Sequence, residues 1–186
     1  MQLSTLKIPF LLIIVILSFI TCSTSSRYNF LSMDNEKEPD WIFTPPESSL
    51  SIYYVLDSTY TRNLSLDEGV QAAMGELSNK LPYVISQTLL DYVALTGNHK
   101  NGELIFTMYK ILPEMIDNIL SIAYIMDGWK QDNRLAILIK IPLPELTKIA
   151  HNYIQIDLDN EALINEYNFT DWLLLRAPAM QSALNN

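Results

Sequence analysis

Apolar positions fall into distinct patterns along the chain, and each predicts a different element. Ile8–Ile20 is an almost unbroken aliphatic run. At ~1.5 Å per residue it spans roughly 20 Å, short of the ~30 Å hydrocarbon core and suited to the apolar region of a secretory signal. Leu50–Leu56 follows the Pro45-Pro46 break and is rich in β-branched and aromatic residues (Ile52, Tyr53, Tyr54, Val55), which predicts a strand. Leu66, Val70, Ala73, Leu77 and Leu81 then recur at helical spacing. Ser65-Leu66-Asp67-Glu68 precedes them as a capping box, in which hydroxyl and carboxylate each satisfy a free backbone N–H. Pro82 is expected to end or kink this helix. Tyr83–Leu95 is apolar without a clean period, so strand and helix both stay open there.

Thr96–Gly102 reads as a loop by its Gly and Asn content. A second helix is expected from about Glu103 to Leu120, with Ile105, Met108, Leu112, Met115 and Ile119 on one face; Pro113 inside it predicts a kink or two short helices. Ile122–Trp129 and Leu135–Ile141 predict two strands joined by Lys130-Gln131-Asp132-Asn133. Pro142 and Pro144 close the hairpin, with Pro144 placed to open a third helix along Leu146, Ile149, Ala150 and Tyr153. Ile156–Asn186 is expected to be helical from about Thr170 and interrupted at Pro178. The sum is an α+β fold, a small antiparallel sheet with helices packed on one face. The organisation expected is a signal peptide over 1–22, a polar tether over 23–40, the folded domain over 41–155, and a mostly helical extension over 156–186.

Charge narrows the function classes. Twelve Lys and Arg stand against 21 Asp and Glu in 186 residues, a net charge of −9. An acidic chain lacks the basic footprint that displaces phosphate counterions, so nucleic acid is not an expected partner. Cys22 is the single cysteine, which leaves no disulfide framework and no cysteine-built zinc site. It lies directly behind the aliphatic run, in Leu17-Ser18-Phe19-Ile20-Thr21-Cys22, where bacterial lipoproteins carry the cysteine that becomes diacylated. Two or more acyl chains give stable anchoring where one does not. The processing peptidase prefers a very small residue before that cysteine and Leu at the third position before it; here Thr21 and Phe19 stand there. The alternative is ordinary cleavage after Ser25, at the small residues Ser23-Thr24-Ser25, which would discard Cys22.

Candidate chemistry is sparse. Asp157, Asp159 and Glu161 alternate like the opening of a calcium loop, yet no Gly occupies the sixth position, and Asn168 falls at the twelfth. His99 and His151 each lack a second ligand at i+3 or i+4, so surface histidines are expected. No Gly-x-Ser-x-Gly turn and no glycine-rich phosphate loop occurs. Asp127 and Asp132 are carboxylates that a hairpin turn attracts anyway. Asn63-Leu64-Ser65 and Asn168-Phe169-Thr170 match the N-glycosylation pattern, which matters only on a eukaryotic secretory route. Trp41 and Trp129 could form an aromatic patch that docks a partner. The structural reading, which is favoured, has Trp41 closing the sheet edge and Trp129 capping the core at the hairpin end.

The order of motifs resembles a known family. Pro39-Asp40-Trp41 with Pro45-Pro46, the Tyr53-Tyr54-Val55 strand, a helix with Ala72, Ala73 and Leu77, then Asp127-Gly128-Trp129 and the strand Leu135–Ile141 form an ordered set. This set resembles the LPP-twenty-type family of small bacterial envelope lipoproteins, whose module is similar to the N-terminal domain of a flagellar assembly protein. The likeness covers roughly residues 39–150; Val55-Leu56-Asp57 departs from it where such proteins usually carry glycines. The resemblance implies an exported α+β domain held at the outer membrane by a lipid on Cys22, with no catalytic residues and no cofactor. The expected function is therefore a non-enzymatic envelope lipoprotein acting through protein–protein contacts. The alternatives are a soluble secreted or periplasmic protein and an uncharacterised hydrolase using surface carboxylates.

Overall fold

The computed structural model describes residues 37–95, 102–157 and 169–186. The signal peptide, Cys22, most of the tether, the 96–101 part of the loop with His99, and Asp159, Glu161 and Asn168 lie outside the described residues. A short 3-10 turn at Asp40–Ile42 leads to β1 (Ser51–Thr59), α1 (Leu66–Leu95), α2 (Gly102–Ile122), β2 (Tyr124–Gln131), β3 (Arg134–Pro142), α3 (Leu143–Asp157) and α4 (Phe169–Asn185). The three strands form one antiparallel sheet in the order β1-β3-β2. The α+β class and the antiparallel sheet expected from the sequence are both present.

The central position of β3 explains its composition. Leu135 through Ile139 are all buried, so both faces of the strand are covered and no polar alternation is needed. Leu135, Ile137, Ile139 and Ile141 face the helices together with Ile52, Tyr54 and Leu56 of β1. Cross-strand pairs Ile52–Ile141, Tyr54–Ile139 and Leu56–Ile137 fix that register. A one-residue slip would turn the whole apolar set to the other face. The hairpin is tighter than expected: the strands extend to Gln131 and from Arg134, leaving a two-residue turn in which Asp132 takes a left-handed φ of 51°. Asp tolerates this conformation because its short polar side chain bonds locally.

The helices differ from expectation chiefly at their prolines. Helix α1 runs unbroken through Pro82, α2 through Pro113 and α4 through Pro178. An interior proline costs ~3 kcal/mol. Around Pro82, burial of Leu77, Leu81, Val84 and Ile85 outweighs that cost, at ~1.5–3 kcal/mol for each large side chain. Tyr83–Leu95 is helix because its buried residues form two adjacent columns, Val84/Thr88 with Tyr92 and Ile85/Leu89 with Val93. Two columns blur the single-stripe period. Thr88 sits in that face without penalty, its hydroxyl donating to the Val84 carbonyl at 2.8 Å. Ile122, expected in a strand, ends α2 instead, and Pro144 is the second residue of α3 rather than the first.

The capping box forms as the sequence specifies: Ser65 Oγ accepts the Glu68 N–H at 3.2 Å and Glu68 Oε2 accepts the Ser65 N–H at 2.8 Å. The Ser65 N–H, then Arg62 and the Ser65 hydroxyl, hold the Glu68 carboxyl below the usual range. One turn into α1, Gly69 meets the sheet. A Cβ there would stand 2.5 Å and 2.6 Å from the two methyls of the buried Leu135. We expect Gly69→Val to lower folding stability by about 1–3 kcal/mol through overpacking, read as a reduced urea midpoint. Unchanged stability would mean that α1 does not sit this close to β3.

Helix α4, expected as an extension beyond the domain, belongs to its core. Leu173, Ala177, Met180 and Leu184 are buried in the same cluster as α1 and the sheet. Trp172 lies against Tyr92 of α1, the rings tilted by 53° with centroids 5.1 Å apart. Its contribution is long-range, which local pattern does not announce.

Candidate functional site

Two features built on the sheet carry the unusual polar chemistry of this protein, and both involve β1. The first is the strap Lys37–Phe43, which crosses the sheet face opposite the helices. Ile42 and Trp41 pack there against Trp129 and Ala136. The Trp41 indole N–H donates to Asp127 Oδ2 at 3.1 Å. Arg134 is the hub: its Nε and Nη2 donate to both oxygens of Asp57 at 2.8 Å and 2.7 Å, and it also pairs with Glu38. Its guanidinium lies 5.6 Å from the Trp129 ring centroid and 5.9 Å from that of Phe43. The paired Asp57 carboxylate, foremost, raises the Arg134 pKa above its ordinary value. A fork-to-fork pair of this kind fixes orientation as well as charge.

Trp129 is only 2% exposed, and half-buried Trp41 spends its N–H on Asp127. The structure thus brings the two tryptophans together, as a patch would require, but turns them inward onto the strap. They act on the sheet face away from the helices, where the sequence reading placed them at the sheet edge and the end of the core. Asp132 sits in the hairpin turn apart from Asp127.

The second feature is the free edge of β1. Ile52, Tyr54 and Leu56 point their backbone groups at β3, so Tyr53 and Val55 point theirs outward. Two amides one helical turn apart on α4 meet them. Gln181 Oε1 accepts the Tyr53 N–H at 2.9 Å and Asn185 Oδ1 accepts the Val55 N–H at 2.8 Å. Asn185 Nδ2 donates to the Tyr53 carbonyl at 2.8 Å. Side-chain amides thereby imitate a neighbouring strand and close an edge that would otherwise template further pairing. Gln181 Nε2 also donates to the Pro46 carbonyl at 3.2 Å, tying the segment before β1 to the same helix. Sequence reasoning missed this clamp. The Gln181/Asn185 spacing of four was its only local trace.

Between the two clamped residues of β1, Tyr54 turns inward and is fully buried, with the Glu76 carboxylate near its hydroxyl. The Lys80 ammonium lies 5.6 Å from its ring centroid and pairs with Glu76. Burial first, and the Glu76 carboxylate second, push the Tyr54 pKa well above its ordinary value of 10.0. The unfolded chain releases this proton near pH 10 while the folded chain retains it, so the folded state binds more protons there and stability falls as pH rises further. Tyr54→Phe removes the buried hydroxyl and this titration. We expect the variant to lie within about 1 kcal/mol of wild type at pH 7 and to lose less stability between about pH 9.5 and pH 11. Equal alkaline losses in urea titrations of the two proteins would contradict the assignment.

Two grooves flank the clamp. One of about 770 Å³ lies between the segment after Phe43 and α4, and one of about 430 Å³ runs toward Asp57, Glu76 and Lys80. Among the described residues no cluster of three or more His, Cys, Asp or Glu is placed to hold a metal ion. Nor is any helix among them long and apolar enough to cross a membrane. No protein-family model, curated protein or solved structure matches this chain.

Proposed function

We propose that this chain is an exported envelope protein, anchored to a membrane through a lipid on Cys22, whose folded body acts by contact with other proteins and not by catalysis. The observation that carries the reading is the aliphatic run Ile8–Ile20 ending at a lone Cys22 and followed by a polar stretch that leads into the strap. The strap's attachment supports it: a chain held by its N-terminus transmits load to the body at Glu38, Trp41 and Phe43, where Arg134 and Asp127 grip it. Large apolar side chains that could meet partners stand exposed on the helices, among them Phe106 at 71% and Tyr83 at 68%. Of the carboxylates beside the smaller groove, Asp57 and Glu76 are engaged by Arg134 and Lys80. Ser23-Thr24-Ser25 supports a second reading, in which cleavage releases a soluble exported protein.

Fractionation of cells carrying the untagged native chain tests export itself. The account expects a species smaller than the 21.3 kDa precursor in the envelope fraction. Full-length protein in the cytosol would end both readings.

A further inference from the structure

We propose that the groove between Phe43 and α4 is a binding site for a neutral oligosaccharide. Its volume of about 770 Å³ falls within the ~300–1,000 Å³ usual for ligand clefts. Among the described residues that line it, Glu47 carries the one charged side chain, and that charge is negative, so phosphates and acidic peptides find no side-chain counter-charge there. The polar lining is instead hydroxyl and amide, notably Thr44, Ser49, Ser182 and Asn186, groups that both donate and accept as sugar hydroxyls do.

The apolar part offers surface to the C–H faces of pyranose rings. Phe43 is 68% exposed and lines the groove, while the Arg134 guanidinium lies near its ring. Leu175, 79% exposed, stands on the α4 side with Leu174. An aromatic or aliphatic wall beside hydroxyls and amides suits a ligand that is apolar on its ring faces and polar around its rim. The groove is also preformed. Gln181 ties α4 to both the Tyr53 N–H and the Pro46 carbonyl, so its two walls are held at a fixed separation before any ligand arrives. That same clamp disfavours an extended peptide, which would read the groove by adding a strand to β1: the outward groups of Tyr53 and the Val55 N–H are already taken. This inference stands on the groove and is independent of the lipid anchor.

Calorimetric titration of the full chain with chitotetraose, cellotetraose and maltotetraose tests it, with a neutral apolar heptapeptide as comparison. At least one tetrasaccharide should bind saturably with a Kd below about 5 mM, the weak end of specific affinity. Phe43→Ala should weaken that binding about tenfold. Because Phe43 also meets Arg134, Leu175→Glu provides a second variant at a highly exposed position and should weaken binding comparably, with the urea midpoint unchanged. Phe106→Ala, an exposed aromatic outside the groove, should leave it unaltered. Absence of binding by all three sugars, binding that survives both groove variants, or capture of the peptide alone would each overturn the proposal.

Discussion

Replacing Gln181 and Asn185 together by Leu is expected to lower folding stability by about 3 kcal/mol and to make the protein self-associate. The helix itself keeps its apolar anchor, since Leu173, Ala177, Met180 and Leu184 are untouched. What is lost is the set of partners for the Tyr53 N–H, the Tyr53 carbonyl and the Val55 N–H. Each partly buried backbone group left unpaired costs ~1–3 kcal/mol, so three at the lower bound give the stated loss. Self-association follows because an unclosed edge strand offers its free N–H and C=O groups to a second chain. Urea denaturation gives the first quantity and sedimentation velocity the second. Ser182→Ala, on the same helix but exposed, should stay within ~0.5 kcal/mol of wild type. A double variant that is monomeric and less than about 1 kcal/mol destabilised would mean that the amides do not carry the edge.

Cys22→Ser is the other change with a large expected effect. If the cysteine bears acyl chains, its removal withdraws the anchor while leaving the export signal intact. Each buried CH₂ contributes about 0.8 kcal/mol, so even one chain outweighs any contact the acidic body makes with an anionic membrane surface. The variant should therefore leave the membrane pellet for the soluble fraction almost completely. Under the competing reading, cleavage after Ser25 removes residue 22 in both proteins, and the distribution of wild type and variant would be identical. High salt separates the cases further: a lipid anchor holds against it, whereas charge-mediated attachment weakens as screening shortens the Debye length.

Local chemistry was legible wherever one element explains itself. Ser65 and Glu68 announce the start of α1, and both reciprocal bonds form. The β-branched and aromatic residues around Tyr53-Tyr54 and the apolar run of Leu135–Ile139 read as strands, and both are strands. Legibility failed where a distant element decides the outcome. Pro82, Pro113 and Pro178 read as breaks because local cost is all that sequence displays, whereas packing of the flanking residues keeps each helix continuous. The clamp and the strap are longer-range still. Gln181 meets Tyr53 across 128 positions and Trp41 meets Asp127 across 86, so no window along the chain contains both partners. Trp41 and Trp129 could be singled out as unusual, but which surface they cover depended on where the chain returns. The groove has the same origin, since one wall comes from residues near Phe43 and the other from α4.

The covalent state of residue 22 decides the account more directly than any property of the folded body. Intact mass spectrometry of the native protein extracted from membranes reads it in one spectrum. We expect a chain that starts at Cys22 and carries the added mass of a diacylglyceryl group with an acylated amine. A chain that starts at Ser26 without lipid, or one that retains Met1, would contradict it.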